Sequence, residues 1–135
     1  MRRASLVALI SAAALAGCGT PSADLFAVDR SGSVPGARLD MVVSDGGTVR
    51  CNGKKAVDIT DDELLDAREL QRDLKDAAER HLELAPRPGS ILRYEVRTPD
   101  GTVRFADNSA GARGSLARLT LFVREVAKQR CHLAR

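Results

Sequence analysis

A chain of 135 residues with 44% hydrophobic but only 3% aromatic residues and no Trp has enough apolar mass for one compact core, built from Leu, Val, Ile and Ala. The formal charge of +3 includes Arg2 and Arg3; without that pair, 19 basic residues face 18 acidic ones. Such a balance lacks the basic footprint of nucleic-acid recognition, so no nucleic-acid partner is expected.

Taken in order, Arg2 and Arg3 precede an apolar run over residues 4–16, and Gly17 and Cys18 follow it. A basic start, an apolar centre and small residues before a processing point make a secretory signal. The 13 residues of the run fall short of the about 20 that a bilayer span requires. Leu15, Ala16, Gly17 and Cys18 read as a lipobox, and the segment resembles a bacterial lipoprotein signal. That resemblance implies acylation of the Cys18 thiol, cleavage just before it and residence at the extracytoplasmic face of the cell membrane. Residues 1–17 are then the signal peptide, 18–24 a lipidated tether and 25–135 a single domain. Fully extended, the tether beyond Cys18 reaches at most about 20 Å. The arginine pair also occurs in twin-arginine signals, but the rest of that pattern is missing and general secretion is expected. Arg-rich, Ala-rich and Gly-rich usage fits GC-rich coding, and the chain also resembles small actinobacterial lipoproteins.

With Cys18 committed to lipid, Cys51 and Cys131 remain as an even pair in an oxidising compartment. A disulfide is the simplest assignment, and two separate buried thiols are the rival. A bridge closing so long a loop would contribute about 4 to 5 kcal/mol in the chain-entropy model, before any native strain. No CxxC or Cys/His cluster exists, so a metal is not expected.

Residues 25–30 read as a strand with Phe26 and Val28 on one face, ended by Ser31, Gly32, Ser33, Pro35 and Gly36. A first hairpin covers 37–52: Leu39, Met41 and Val43 alternate, Asp45, Gly46 and Gly47 turn, and Val49 and Cys51 face inward again. Residues 55–59 alternate weakly, as a short edge strand with exposed lysines would. Thr60 and Glu63 form a capping box for a helix of about 23 residues, with Ala67, Leu70, Leu74, Ala77, Ala78, His81 and Ala85 on its apolar stripe. Pro86 and Pro88 stop it. A second hairpin pairs Leu92, Tyr94 and Val96 with Val103 and Phe105 across a Pro99, Asp100, Gly101 turn. Ser115 can cap a last helix whose Leu116, Leu119, Phe122, Val123, Val126 and Leu133 form a buried stripe, with Cys131 near its end.

Each hairpin precedes a helix, and the two turns share Asp, Gly, Thr, Val and Arg in order. A duplicated ββα unit and independent Asp-Gly hairpins both account for that echo. The expected fold is α+β: an antiparallel sheet of four to five strands with two helices packed on one face. The order of elements from Leu25 to Arg130, with the opening strand ending Arg30, Ser31, Gly32 and the hairpin carrying Tyr94 and Val96, resembles the emfourin family of small inhibitors of thermolysin-like metalloproteases. Ser33 stands where that family often has a second Gly. The resemblance implies an inhibitory binding module and maps no inhibitory loop onto particular residues.

Chemistry is sparse. His81 on an apolar stripe reads as a core-edge histidine, and His132 as a cation near a helix C-terminus. Asp58, Asp61, Asp62, Glu63 and Asp66 crowd into nine positions but run into a helix, unlike a calcium loop, so capping explains them. No GxSxG, HExxH, P-loop or GxGxxG pattern occurs, so no catalytic residue, cofactor or enzyme activity is expected. If the second hairpin turns its apolar side to the helices, Arg93, Arg97 and Arg104 face outward, with Arg50, Arg38 and Asp40 beside them. That face is the candidate binding surface for a secreted protease, an envelope protein or anionic headgroups. The bland alternative is a solvated face with cross-strand Arg and Glu pairs.

Overall fold

The computed structural model describes residues 22–134; the signal segment, Cys18 and the start of the tether lie outside the described residues. The strands are β1 (Asp24–Gly32), β2 (Leu39–Ser44), β3 (Thr48–Cys51), β4 (Val57–Asp58), β5 (Leu92–Thr98) and β6 (Gly101–Ala106). They form one antiparallel sheet in the order β4-β3-β2-β1-β5-β6. The first strand is therefore in the middle, paired with β2 through Val28 and Met41 and with β5 through Val28 and Val96.

Period-two alternation sends one side chain in two to the core. Phe26, Val28, Leu39, Met41, Val43, Val49, Val96 and Val103 are at most 1% exposed. Tyr94 and Phe105 stack with centroids 5.0 Å apart on the same side. The helices α1 (Asp61–Glu79) and α2 (Ser115–Gln129) cover this side through Leu70, Leu74, Leu119, Val123 and Val126. Phe122 meets Phe26 edge-on at 5.9 Å.

The capping box forms as expected: the Glu63 N–H donates to the Thr60 hydroxyl at 3.2 Å, and the Thr60 N–H donates to Glu63 Oε2 at 2.7 Å. Arg68 of α1 holds the β2–β3 turn through Asp45 at 2.6 Å, and the helix ends over Gly101 in the β5–β6 turn. So α1 crosses one end of the strands. At the opposite end of β3, Cys51 is disulfide-bonded to Cys131 just past α2, with Cα atoms 6.2 Å apart. The helices are antiparallel and stitched by charge. Arg118 reaches Asp66, Glu69 and Asp73 at 2.8 to 3.0 Å, and Arg130 pairs with Glu63 at 2.9 Å.

Three expectations change, and one open alternative is decided. The sheet has six strands rather than four to five, because Val57 and Asp58 do pair with Val49 and Thr48 and add the short edge strand β4. The first helix stops at Glu79, and His81 and Ala85 are not on its buried stripe. His81 is exposed and left-handed (φ 50°), its N–H bonding Ala78 O and the Leu82 N–H bonding Ala77 O, both at 2.9 Å. The chain then runs extended beside β6, where Leu82 O and the Leu84 N–H satisfy both backbone groups of Arg104 at 2.8 Å. Pairing an otherwise open strand edge outweighs one more helical turn. Ser115 opens α2 without capping it: the N-cap is Gly114, with no side-chain bond. Finally, β2 leads to β3 on one side of β1 while β5 leads to β6 on the other. With both helices on one face, the two ββα runs have opposite hand and do not superpose as a repeat.

Candidate functional site

Because both helices occupy one face of the sheet, the other face is open. It carries Asp29 and Ser31 from β1, Asp40 from β2, Arg50 from β3, Arg93, Glu95 and Arg97 from β5, and Arg104 from β6, all exposed or half-buried. The expected arginines thus point outward, but they do not form one patch. Arg93, Arg97 and Arg104 sit on neighbouring strands, whereas Arg50 is three strand spacings from β5, about 14 Å away.

Cross-strand pairing sets the electrostatics. Glu95 lies opposite Asp29 on one side and Arg104 on the other. Arg97 donates to Asp29 at 2.6 Å and to Glu95 at 3.4 Å, and Arg104 donates to Glu95 at 2.9 Å. The Asp29 hydrogen bond leads the effects that hold the Arg97 guanidinium above its ordinary pKa. Each of these half-exposed pairs is worth at most about 1 kcal/mol. Arg50 and Arg93 make no ion pair among the described residues. The face is an alternating charge mosaic, with Arg50 and Arg93 standing outside its ion pairs at separate places.

Arg93 and Arg104 nonetheless converge on one feature that the sequence pattern did not reveal. The extended segment after α1 raises a wall along β6, and between that wall and β5 lies a groove of about 500 Å³. Ala106 gives it a small apolar floor, and Ala85 and Pro86 line the wall; Arg93, Arg104, Glu83 and Glu95 give it charged sides. Leu82 and Leu84 alternating with Glu83 and Ala85 was the available sign of an extended wall.

One charge lies on the helix side. Arg30 follows Phe26 and Val28 inward and is 3% exposed; its Nε donates to Ala37 O at 2.8 Å and Nη2 to Gly36 O at 3.2 Å. Tyr94 beside it is pushed above its ordinary pKa by burial, which the Arg30 charge partly offsets.

The remaining candidates resolve structurally. Glu63 is spent on capping and Arg130, and Asp66 on Arg118. Both histidines occupy left-handed positions just past a helix. Among the described residues no group of three or more His, Cys, Asp or Glu could hold a metal ion, and no helix is long and apolar enough to cross a membrane. Comparison with family models, curated proteins and solved structures found no match to this chain.

Proposed function

We propose that this chain is an extracytoplasmic lipoprotein, anchored to the cell membrane through Cys18, whose domain is a non-enzymatic binding module working through the open sheet face. The observation that carries the reading is the groove flanked by Arg93 and Arg104 on a face that the helices leave bare. Alternating charge on an open sheet face favours a protein partner of complementary pattern over a uniformly charged polymer.

In its specific form the module inhibits a secreted thermolysin-like protease, as the emfourin resemblance implies. In its general form it is an accessory envelope lipoprotein that recruits a protein or membrane partner; the ion-paired state of Arg97 and Arg104 favours this form, since such a face gives orientation more than affinity. Titrating the full chain against secreted thermolysin-like proteases separates the two. Inhibition at micromolar concentration that Arg93→Glu with Arg104→Glu removes is the expected result for the inhibitor, and no inhibition eliminates it. The anchor is read by fatty-acid labelling, which Cys18→Ala should abolish.

A further inference from the structure

The turn after β3 places a nucleophile and an electrophile on adjacent residues. Asn52 and Gly53 are both exposed and left-handed (φ 54° and 68°), and the Lys54 N–H closes their turn by donating to Cys51 O at 3.1 Å. A side chain after the asparagine would shield the backbone nitrogen there. Gly53 has none, and even a Cβ built on it would meet no atom within 4 Å. The Gly53 N–H meets no acceptor among the described residues. Asn52 Oδ1 accepts from the Asp40 N–H at 2.9 Å, whereas Asn52 Nδ2 makes no hydrogen bond among the described residues.

The chain's other asparagine, Asn108, shows the same residue type secured. Its Oδ1 accepts from the Arg87 N–H at 3.0 Å, and its Nδ2 donates to Arg87 O at 3.1 Å and to Pro88 O at 3.2 Å. The N–H that follows it belongs to buried Ser109 and donates to Ala106 O at 3.1 Å. At position 108 both the backbone nitrogen and the side-chain nitrogen are held; at position 52 neither is.

We infer that Asn52 is a self-modification site, converted to aspartate and isoaspartate through a cyclic imide formed with Gly53. The Gly53 nitrogen attacks Asn52 Cγ, the new C–N bond forms, the Cγ–Nδ2 bond breaks, and the side-chain nitrogen leaves as ammonia with the proton that Gly53 gives up. Negative charge builds on Oδ1 during the attack, and the Asp40 N–H already donates to that oxygen. Water then adds to one or the other ring carbonyl, and reopening leaves aspartate or isoaspartate; water is the one co-reactant. Aspartate keeps an oxygen for the Asp40 N–H. Isoaspartate puts Cβ into the main chain and so lengthens the turn that Cys51 O and the Lys54 N–H close, one residue from the Cys51–Cys131 bridge. Either product adds a negative charge beside Asp40 at the margin of the open sheet face.

The test incubates the full chain, folded and with its bridge intact, in mildly alkaline buffer and maps its peptides over the time in which the urea-unfolded chain converts at Asn52. The Asn52 peptide should give way to two products, aspartate and isoaspartate, each heavier by the exchange of NH for O, while the Asn108 peptide stays intact. Gly53→Ala should slow the loss, because a methyl group then shields the attacking nitrogen. Persistence of Asn52 in the folded chain, conversion of Asn108 at the same rate, aspartate without isoaspartate, or an undiminished rate in Gly53→Ala each overturn the assignment. The isoaspartate fraction, separated by ion exchange, should unfold at a lower urea concentration than Asn52→Asp. Equal midpoints would overturn the loosening of the turn while leaving the reaction itself to the peptide map.

Discussion

Gly101 sits against the carbonyl oxygen of Ala78: a Cβ on Gly101 would collide with that oxygen and come within 3.2 Å of His81 Cε1. Its φ of 146° is also one that side chains rarely adopt. Gly101→Ala must therefore push the end of α1 off the β5–β6 turn, and about 3 kcal/mol of stability should be lost. Urea denaturation of the variant beside wild type measures it; a midpoint within error of wild type would show that the two elements are not in contact.

His81 occupies the left-handed residue that ends α1, a position where a Cβ is strained. His81→Gly should raise stability by about 0.5 to 1 kcal/mol. The sign is diagnostic, because Gly within a continuing helix would cost about 1 kcal/mol instead.

Much of this was readable locally. Asp45, Gly46, Gly47 and Pro99, Asp100, Gly101 announce their turns, alternation around them sets which side chains face the core, and Thr60 with Glu63 announces the start of α1. The sheet order was not readable, since Ala27 meets Arg97 through a pairing of distant segments that leaves no local mark. Everything that depends on that order was hidden with it: the Asp29–Arg97 pair, the alternating charge mosaic of the open face and the opposite hand of the two ββα runs. His81 was misplaced because it falls on the helical stripe by spacing, while the competing period-two signal in Leu82 and Leu84 is only two residues strong. Arg30 was hidden differently: its strand position pointed inward, and the Ala37 and Gly36 carbonyls help explain how a guanidinium is tolerated there.

The Cys51–Cys131 bridge spans a sequence separation of 80 residues and ties the end of β3 to the chain beyond α2. Replacing both cysteines with Ser should remove about 4 kcal/mol, measured by denaturation. Intact mass should rise by two hydrogens on reduction of the wild type and not change in the variant.

Glu63 gives the domain an acid-sensitive joint. Burial alone would raise its pKa, but the Thr60 backbone N–H and the Arg130 guanidinium outweigh it and hold the carboxyl below the ordinary 4.5. Below that value the unfolded chain takes up the proton first, so stability falls as pH drops through the folded-state pKa. Between about pH 5 and 3 the wild type should lose stability more steeply than Glu63→Gln, as acid titration of the denaturation midpoint would record. Parallel slopes would show that the carboxylate carries no part of the joint.

The strand made first is the one finished last. β1 is central, yet its second neighbour, β5, begins at Leu92. During synthesis or transport from the N-terminus, a chain interrupted before that point holds only four of the six strands, β4-β3-β2-β1, and exposes β1 as a bare edge. Truncated products should therefore aggregate rather than persist as smaller folded units.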